Sequence, residues 1–177
     1  MRYDPEKHHR RSIRLRSYNY AAAGTYFVTI CSQDRGCVFG EIIDGAMHIN
    51  QWGLVVDACW NGLPSHYGNV RLDAFVVMPN HIHGIILIAP RTDVDVGARH
   101  ASPLHLGTVI GSFKSAAARQ INILRDAPGC PVWQRNYYEH IIRGEKVLHA
   151  IRRYVEDNPT QWAFDPENPA NISANRI

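Results

Sequence analysis

No apolar run in these 177 residues approaches the ~18 that a membrane-spanning helix requires, so no membrane partner is expected. The start of the chain shows no apolar signal-peptide segment, which makes the cytoplasm the expected location. The four cysteines, Cys31, Cys37, Cys59 and Cys130, form no CxxC pair. Reduced thiols fit that spacing better than a disulfide framework or a zinc cluster. There is no internal repeat. Charge is also modest, with 20% charged residues and a net +3, a weak pointer to an anionic partner. The length suits one domain, residues 1–177, and is short for two.

Basic residues are densest near the start. "HHRRSIRLR" (8–16) holds four arginines and two histidines. It is either a solvated arm (1–20) or a segment that contacts phosphates through Arg10, Arg11, Arg14 and Arg16.

Periodicity orders the rest. "TYFVTICS" (25–32) is β-branched and aromatic and reads as a strand. Residues 38–50 read as a hairpin turning at Asp44-Gly45. Asn50 caps a helix whose apolar residues Val55, Val56, Cys59, Trp60 and Leu63 fall at helical spacing, with Pro64 expected to end it. Residues 70–79 and 81–90 read as adjacent strands, and 91–105 as a long loop. A second helix, capped by Thr108, carries the stripe Val109, Ile110, Phe113, Ala117, Ile121 and Leu124. "VWQRNYYEHII" (132–142) reads as a strand and 145–157 as a last helix, stopped by Asn158-Pro159. The polar tail, 165–177, is expected to be loosely held. The order, hairpin aside, is that of an α+β fold: a ferredoxin-like or RRM-like antiparallel sheet with helices on one side and an extra C-terminal helix. Such a fold hosts many functions, so function must come from a site.

One site candidate stands inside "FVVMPNHIHGIILI" (75–88). Side chains alternate along a strand, so His81 and His83 share a face, with Cα atoms about 7 Å apart. Two imidazoles there can either find hydrogen bonds or hold one metal ion, and the apolar setting favours the ligand reading, because imidazolium would be disfavoured by burial and by its neighbour. On the last helix, Tyr154 and Asn158 stand one turn apart at the edge and middle of the stripe Val147, Leu148, Ile151 and Val155. The helix alone favours a core-edge tyrosine and a cap residue; a third ligand and a nearby phenol is the other reading.

Together, Met-Pro-Asn-His-x-His-Gly (78–84), the Trp-Gln-Arg strand (133–135) and the Tyr-x-x-x-Asn-Pro helix end (154–159) resemble the single-tyrosine transposases of the HUH endonuclease superfamily, and among them the REP-associated tyrosine transposases and their relatives. The resemblance runs from "RLRSYNYAAAGTYFVTICSQDRGCVFGEI" to "YVEDNPTQW". It implies a sheet carrying the metal ligands His81 and His83, a third ligand at Asn158 and a nucleophile at Tyr154. It implies cleavage of single-stranded DNA beside a hairpin, with a 5′-phosphotyrosine and a free 3′-hydroxyl as products, by a monomer or a homodimer.

Phosphate oxygens and water are hard ligands, so Mg²⁺ or Mn²⁺ is the expected cofactor, with Zn²⁺ or Ni²⁺ able to occupy the imidazoles in purified protein. Further candidate DNA contacts are Lys114, Trp133, Arg135, Tyr137 and His140; for Lys114 and His140 a structural role is the favoured reading, and Trp133, Tyr137 and Tyr138 either stack unpaired bases or pack in the sheet. A nucleic-acid-binding module without catalysis is the alternative; it leaves the histidine pair idle.

Overall fold

The computed structural model describes residues 23–90 and 104–174, with side chains described as far as 171. The basic arm with Arg10, Arg11, Arg14 and Arg16, and most of the loop 91–105, lie outside the described residues.

Strand β1 (Gly24–Cys31) leads, through a 3-10 turn at Gln33–Arg35, into the hairpin β2 (Gly40–Ile43) and β3 (Ala46–Ile49). Asp44 and Gly45 turn it with φ of 50° and 75°, the left-handed pair that matches strand twist. Helix α1 (Gln51–Asn61) starts where expected, because the Asn50 side chain accepts from the backbone N–H groups of Trp52 and Gly53. It stops at Gly62, before Pro64, and Pro64 instead sits in the first turn of a short helix, α2 (Leu63–His66). There its missing N–H costs nothing.

Strands β4 (Val70–Val77) and β5 (His81–Ile88) follow, then helix α3 (Leu106–Leu124), β6 (Tyr138–Ile142), helix α4 (Glu145–Asp157) and a short helix α5 (Pro169–Ala174). Helix α3 begins before Thr108, with His105 at its N-cap. Leu124, expected on its apolar stripe, is exposed, because the last turn runs past the core. The strand expected over 132–142 is shorter: Trp133 makes one isolated bridge to Ser32, and regular pairing begins only at Tyr138.

The main sheet is antiparallel in the order β4-β5-β1-β6. It is the expected α+β arrangement, with β5 inside it. One face, with Tyr26, Val28, Ile30, Ile82 and Ile86, packs on α1 and α3. Fully burying each of these side chains contributes about 1.5–3 kcal/mol. Gly84 belongs to this face because Trp60 lies on it, stacked on Phe75 and edge-on to Phe113; a Cβ at position 84 would run into the indole. The opposite face is covered by α4, where Phe27, Ile85, Ile142 and Val155 make a second, smaller cluster. His81 and His83 point to this second face.

Candidate metal centre and nucleophile

Strand register decides which groups meet. Across β5, β1 and β6 the cross-strand rows are Ile85–Phe27–His140 and His83–Thr29–Tyr138, and His81 pairs with Cys31. The two imidazoles are buried, with Nε2 of His81 3.0 Å from Nε2 of His83.

Each imidazole is oriented through its other nitrogen. Asn80 donates its amide to the carbonyls of Arg35 (3.0 Å) and Glu167 (2.7 Å). Its Oδ1 is thereby turned to Nδ1 of His81 at 2.8 Å. Only a protonated Nδ1 suits that oxygen, so Nε2 of His81 carries the lone pair. Thr29 Oγ1 lies 2.8 Å from Nδ1 of His83. Such partners fix ring orientation and tautomer in metal sites. Burial lowers the pKa of both rings, with Arg35 adding to the effect on His81, where the Asp165 carboxylate opposes it, and with His81 adding to it on His83. Both are therefore neutral, as ligands must be. The 3.9 Å approach of Asp165 Oδ2 to His81 Nε2 is then a shared site, not an ion pair.

Helix α4 supplies the rest. Gly144 starts it with φ of 90°, a conformation open to glycine. One turn apart near its end, Tyr154 and Asn158 both reach the histidines' face. The Tyr154 hydroxyl lies 3.2 Å from Nε2 of His83, and its ring stands edge-on to Phe27, on which the His83 ring stacks. Burial, then the Asp165 carboxylate, pushes the phenol up to about 12, with the Asn158 amide acting in the other direction. Asn158 is buried and donates Nδ2 to Asp165 Oδ2 at 3.0 Å, while its Oδ1 is buried without a hydrogen-bond partner. An orphaned buried oxygen costs about 1–3 kcal/mol, and a cation would satisfy it. The donor set therefore fits a metal: His81, His83 and Asp165 can hold one ion, and Asn158, bonded to Asp165, keeps a buried oxygen without a partner beside them.

Asp165 and Glu167 had no signal in the sequence beyond being acidic residues in a polar tail. That tail is not loose over Asp165–Asn171. Asp165 is buried and accepts from the Glu167 N–H, Glu167 pairs with Arg35 at 2.5 Å, and Asn171 donates to Ala163 and Asp165 carbonyls. Asn80 could have been singled out, as a polar residue before the pair in an apolar run.

A cleft of about 390 Å³ is lined by His83, Tyr154, Thr29, Arg35 and Tyr137 among others. Two expected DNA contacts are elsewhere engaged. Lys114 donates to the carbonyls of Gln134 (2.5 Å), Arg135 and Asn136, and so shapes the cleft wall from behind. Trp133 is buried against Phe39 and Phe113. Arg135 and His140 are exposed, and Tyr137 is half-buried in the cleft wall.

A histidine pair, a buried carboxamide and carboxylate, and a tyrosine hydroxyl thus stand together on one sheet face. No family model matches the chain. An uncharacterised Haemophilus influenzae protein is 41% identical over 181 residues, which cover 93% of this chain and 96% of that one. A second protein of that organism, named for the REP-associated tyrosine transposases, is 27% identical over 82% of this chain and 76% of its own. A solved REP-associated tyrosine transposase bound to a REP hairpin has the same fold, with a TM-score of 0.58, 19% identity and coverage of 88% of this chain and 76% of that one. The chain is thus similar in sequence to a protein named as a REP-associated tyrosine transposase and shares the fold of a solved one. Among the described residues, no helix is long and apolar enough to cross a membrane.

Proposed function

We propose that this protein nicks and rejoins single-stranded DNA beside hairpins, with Tyr154 as nucleophile and His81, His83 and Asn158, joined by Asp165, as ligands of Mg²⁺ or Mn²⁺. The observation that carries the reading is the 3.2 Å contact between the Tyr154 hydroxyl and His83 Nε2, a phenol beside a donor set that fits a metal.

When bound, the ion would offset the charge of the scissile phosphate and orient it for in-line attack. The chain does the rest. Asn80 and Thr29 hold the imidazoles. The phenol oxygen of Tyr154 bonds to phosphorus as the bond to the 3′ oxygen breaks; the phenol loses its proton and the departing 3′ oxygen gains one. Phenolate, with a pKa near ~10, is a better leaving group than a sugar alkoxide, so the 3′-hydroxyl can later reverse the step. Tyr154 must reach an exposed phosphodiester, which disfavours fully paired duplex. The exposed Arg135 and the arm at Arg10, Arg11, Arg14 and Arg16 would contribute salt-dependent phosphate contacts.

The test is incubation with hairpin oligonucleotides bearing single-stranded flanks, with Mg²⁺ or Mn²⁺, read on a denaturing gel. A covalent protein–DNA adduct is expected, absent in Tyr154→Phe and in chelator. An adduct that persists in Tyr154→Phe would overturn the assignment.

A further inference from the structure

Beside the catalytic cleft lies a second, shallower cavity of about 460 Å³, lined by Phe27, Tyr138, His140, Lys146, Val147, Ala150 and Ile151. It shares Phe27 and Tyr138 with the cleft that holds Tyr154, so the two form one continuous path over the sheet face. Its floor is apolar: Phe27 lies between Ile85 and His140 in a cross-strand row, edge-on to Tyr138 at 6.4 Å. Its wall is helix α4 one and two turns before Tyr154. Tyr138 and Val147 are 50% and 39% exposed, and no contact within the described fold calls for that exposure. Two basic side chains, His140 and Lys146, line it and no carboxylate does. An aromatic ring, an aliphatic wall and a basic rim beside a phosphodiester-processing site complement a flat apolar group that carries an anionic backbone.

We infer that this cavity binds one unpaired nucleobase of the DNA strand next to the scissile phosphate, stacked on Tyr138 against Val147, with Lys146 on the adjoining phosphate. The inference rests on the function proposed above and adds a subsite to it. Ala150 stands one helical turn from Tyr154, a rise of about 6 Å, so the base belongs to a nucleotide adjacent to the one attacked.

The experiment uses the full chain and a hairpin oligonucleotide with a thymidine flank, in which a single abasic nucleotide is walked along the flank. For wild type, one flank position should lose about tenfold in affinity when abasic. Tyr138→Ala and Val147→Glu should each lose about as much on the intact flank and lose nothing further on that abasic oligonucleotide. Tyr138→Phe, which keeps the ring, should bind like wild type. Both positions are exposed, so thermal melting should match wild type and exclude misfolding. If both variants bind the intact flank like wild type while the Tyr154 adduct still forms, the cavity assignment is wrong and the proposed reaction stands. If wild type neither binds the flank nor forms the adduct, both fall.

Discussion

Nε2 of His81 lies 3.0 Å from Nε2 of His83. Asn80 ties the proton of His81 to Nδ1, so the lone pair of His81 faces its neighbour. Without an ion, His83 places its proton between the two nitrogens; with one, that proton sits on Nδ1, facing Thr29 Oγ1, and Nε2 presents a second lone pair. The pair is built to change tautomer for a cation, and the groups holding the outer nitrogens decide how readily.

Asn80→Ala should therefore weaken metal binding although it removes no ligand. Loss of an outer partner typically costs about 10–100-fold in affinity. The change also strips the amide donor from the carbonyls of Arg35 and Glu167, so the tail should loosen. Calorimetric titration with Mn²⁺ checks the first effect and hydrogen exchange over 162–171 the second. Affinity equal to wild type would remove Asn80 from the site.

Asp165 bears on both the candidate ion site and Tyr154. Its carboxylate lies among the ligand atoms and, after burial, is the next cause of the raised Tyr154 pKa. Asp165→Asn should bind Mn²⁺ more weakly, by roughly tenfold or more. In metal-free protein the ultraviolet difference between wild type and Tyr154→Phe should report a phenol titrating near 12, and in an Asp165→Asn background the same difference should titrate lower. A phenol unmoved by the loss of that charge would separate Asp165 from the nucleophile.

The sheet, and which side chains share one of its faces, were legible in the sequence because both rest on local periodicity. Alternation put His81 and His83 on one face, and the four-residue spacing of Tyr154 and Asn158 put both on one side of α4. Asp44-Gly45 and Asn50 were legible because their backbone chemistry is local. Asp165 was not, since no period links a tail carboxylate to a strand over eighty residues earlier; only the return of the chain past Asn158 brings it there. The loop carbonyls around Lys114 and the core around Trp133 were illegible for a related reason. A basic or aromatic side chain looks the same in sequence whether it meets DNA, loop carbonyls or a core.

Gly84 follows the histidines for a reason on the other face. Trp60 occupies the space a side chain would need, and the obstruction is a buried ring held by Phe75 and Phe113. Gly84→Ala should destabilise the protein by about 1–3 kcal/mol, as overpacking does. It should also disturb β5, and with it the imidazoles. Thermal melting checks the first; a midpoint equal to wild type would show that Trp60 moves freely.

Arg152 on α4 grips Asp73 on β4 with two parallel hydrogen bonds, Nε to Oδ1 at 2.8 Å and Nη2 to Oδ2 at 2.7 Å. Asp73 lies at the irregularity between Leu72 and Phe75, so a bulge in the sheet presents the carboxylate to the helix. Arg152 precedes Tyr154 by two residues, and the helix follows Gly144, whose φ of 90° marks the turn into it. The pair therefore fixes how α4 lies on the sheet, and with it the reach of the Tyr154 hydroxyl. Arg152→Ala should slow adduct formation, from several-fold up to about 100-fold, as small misplacements of reacting groups do, while metal binding by His81 and His83 stays near wild type. The Arg152 hydrogen bonds lower the Asp73 pKa. A depressed carboxyl contributes its stability fully above the unfolded value of ~3.9 and loses it as pH falls through the folded value. The stability difference between wild type and Arg152→Ala should accordingly be small at neutral pH, because both side chains are about one-third exposed, and should disappear in acid. Adduct formation at the wild-type rate in Arg152→Ala would show that the packing of Val155 and its neighbours alone positions the helix.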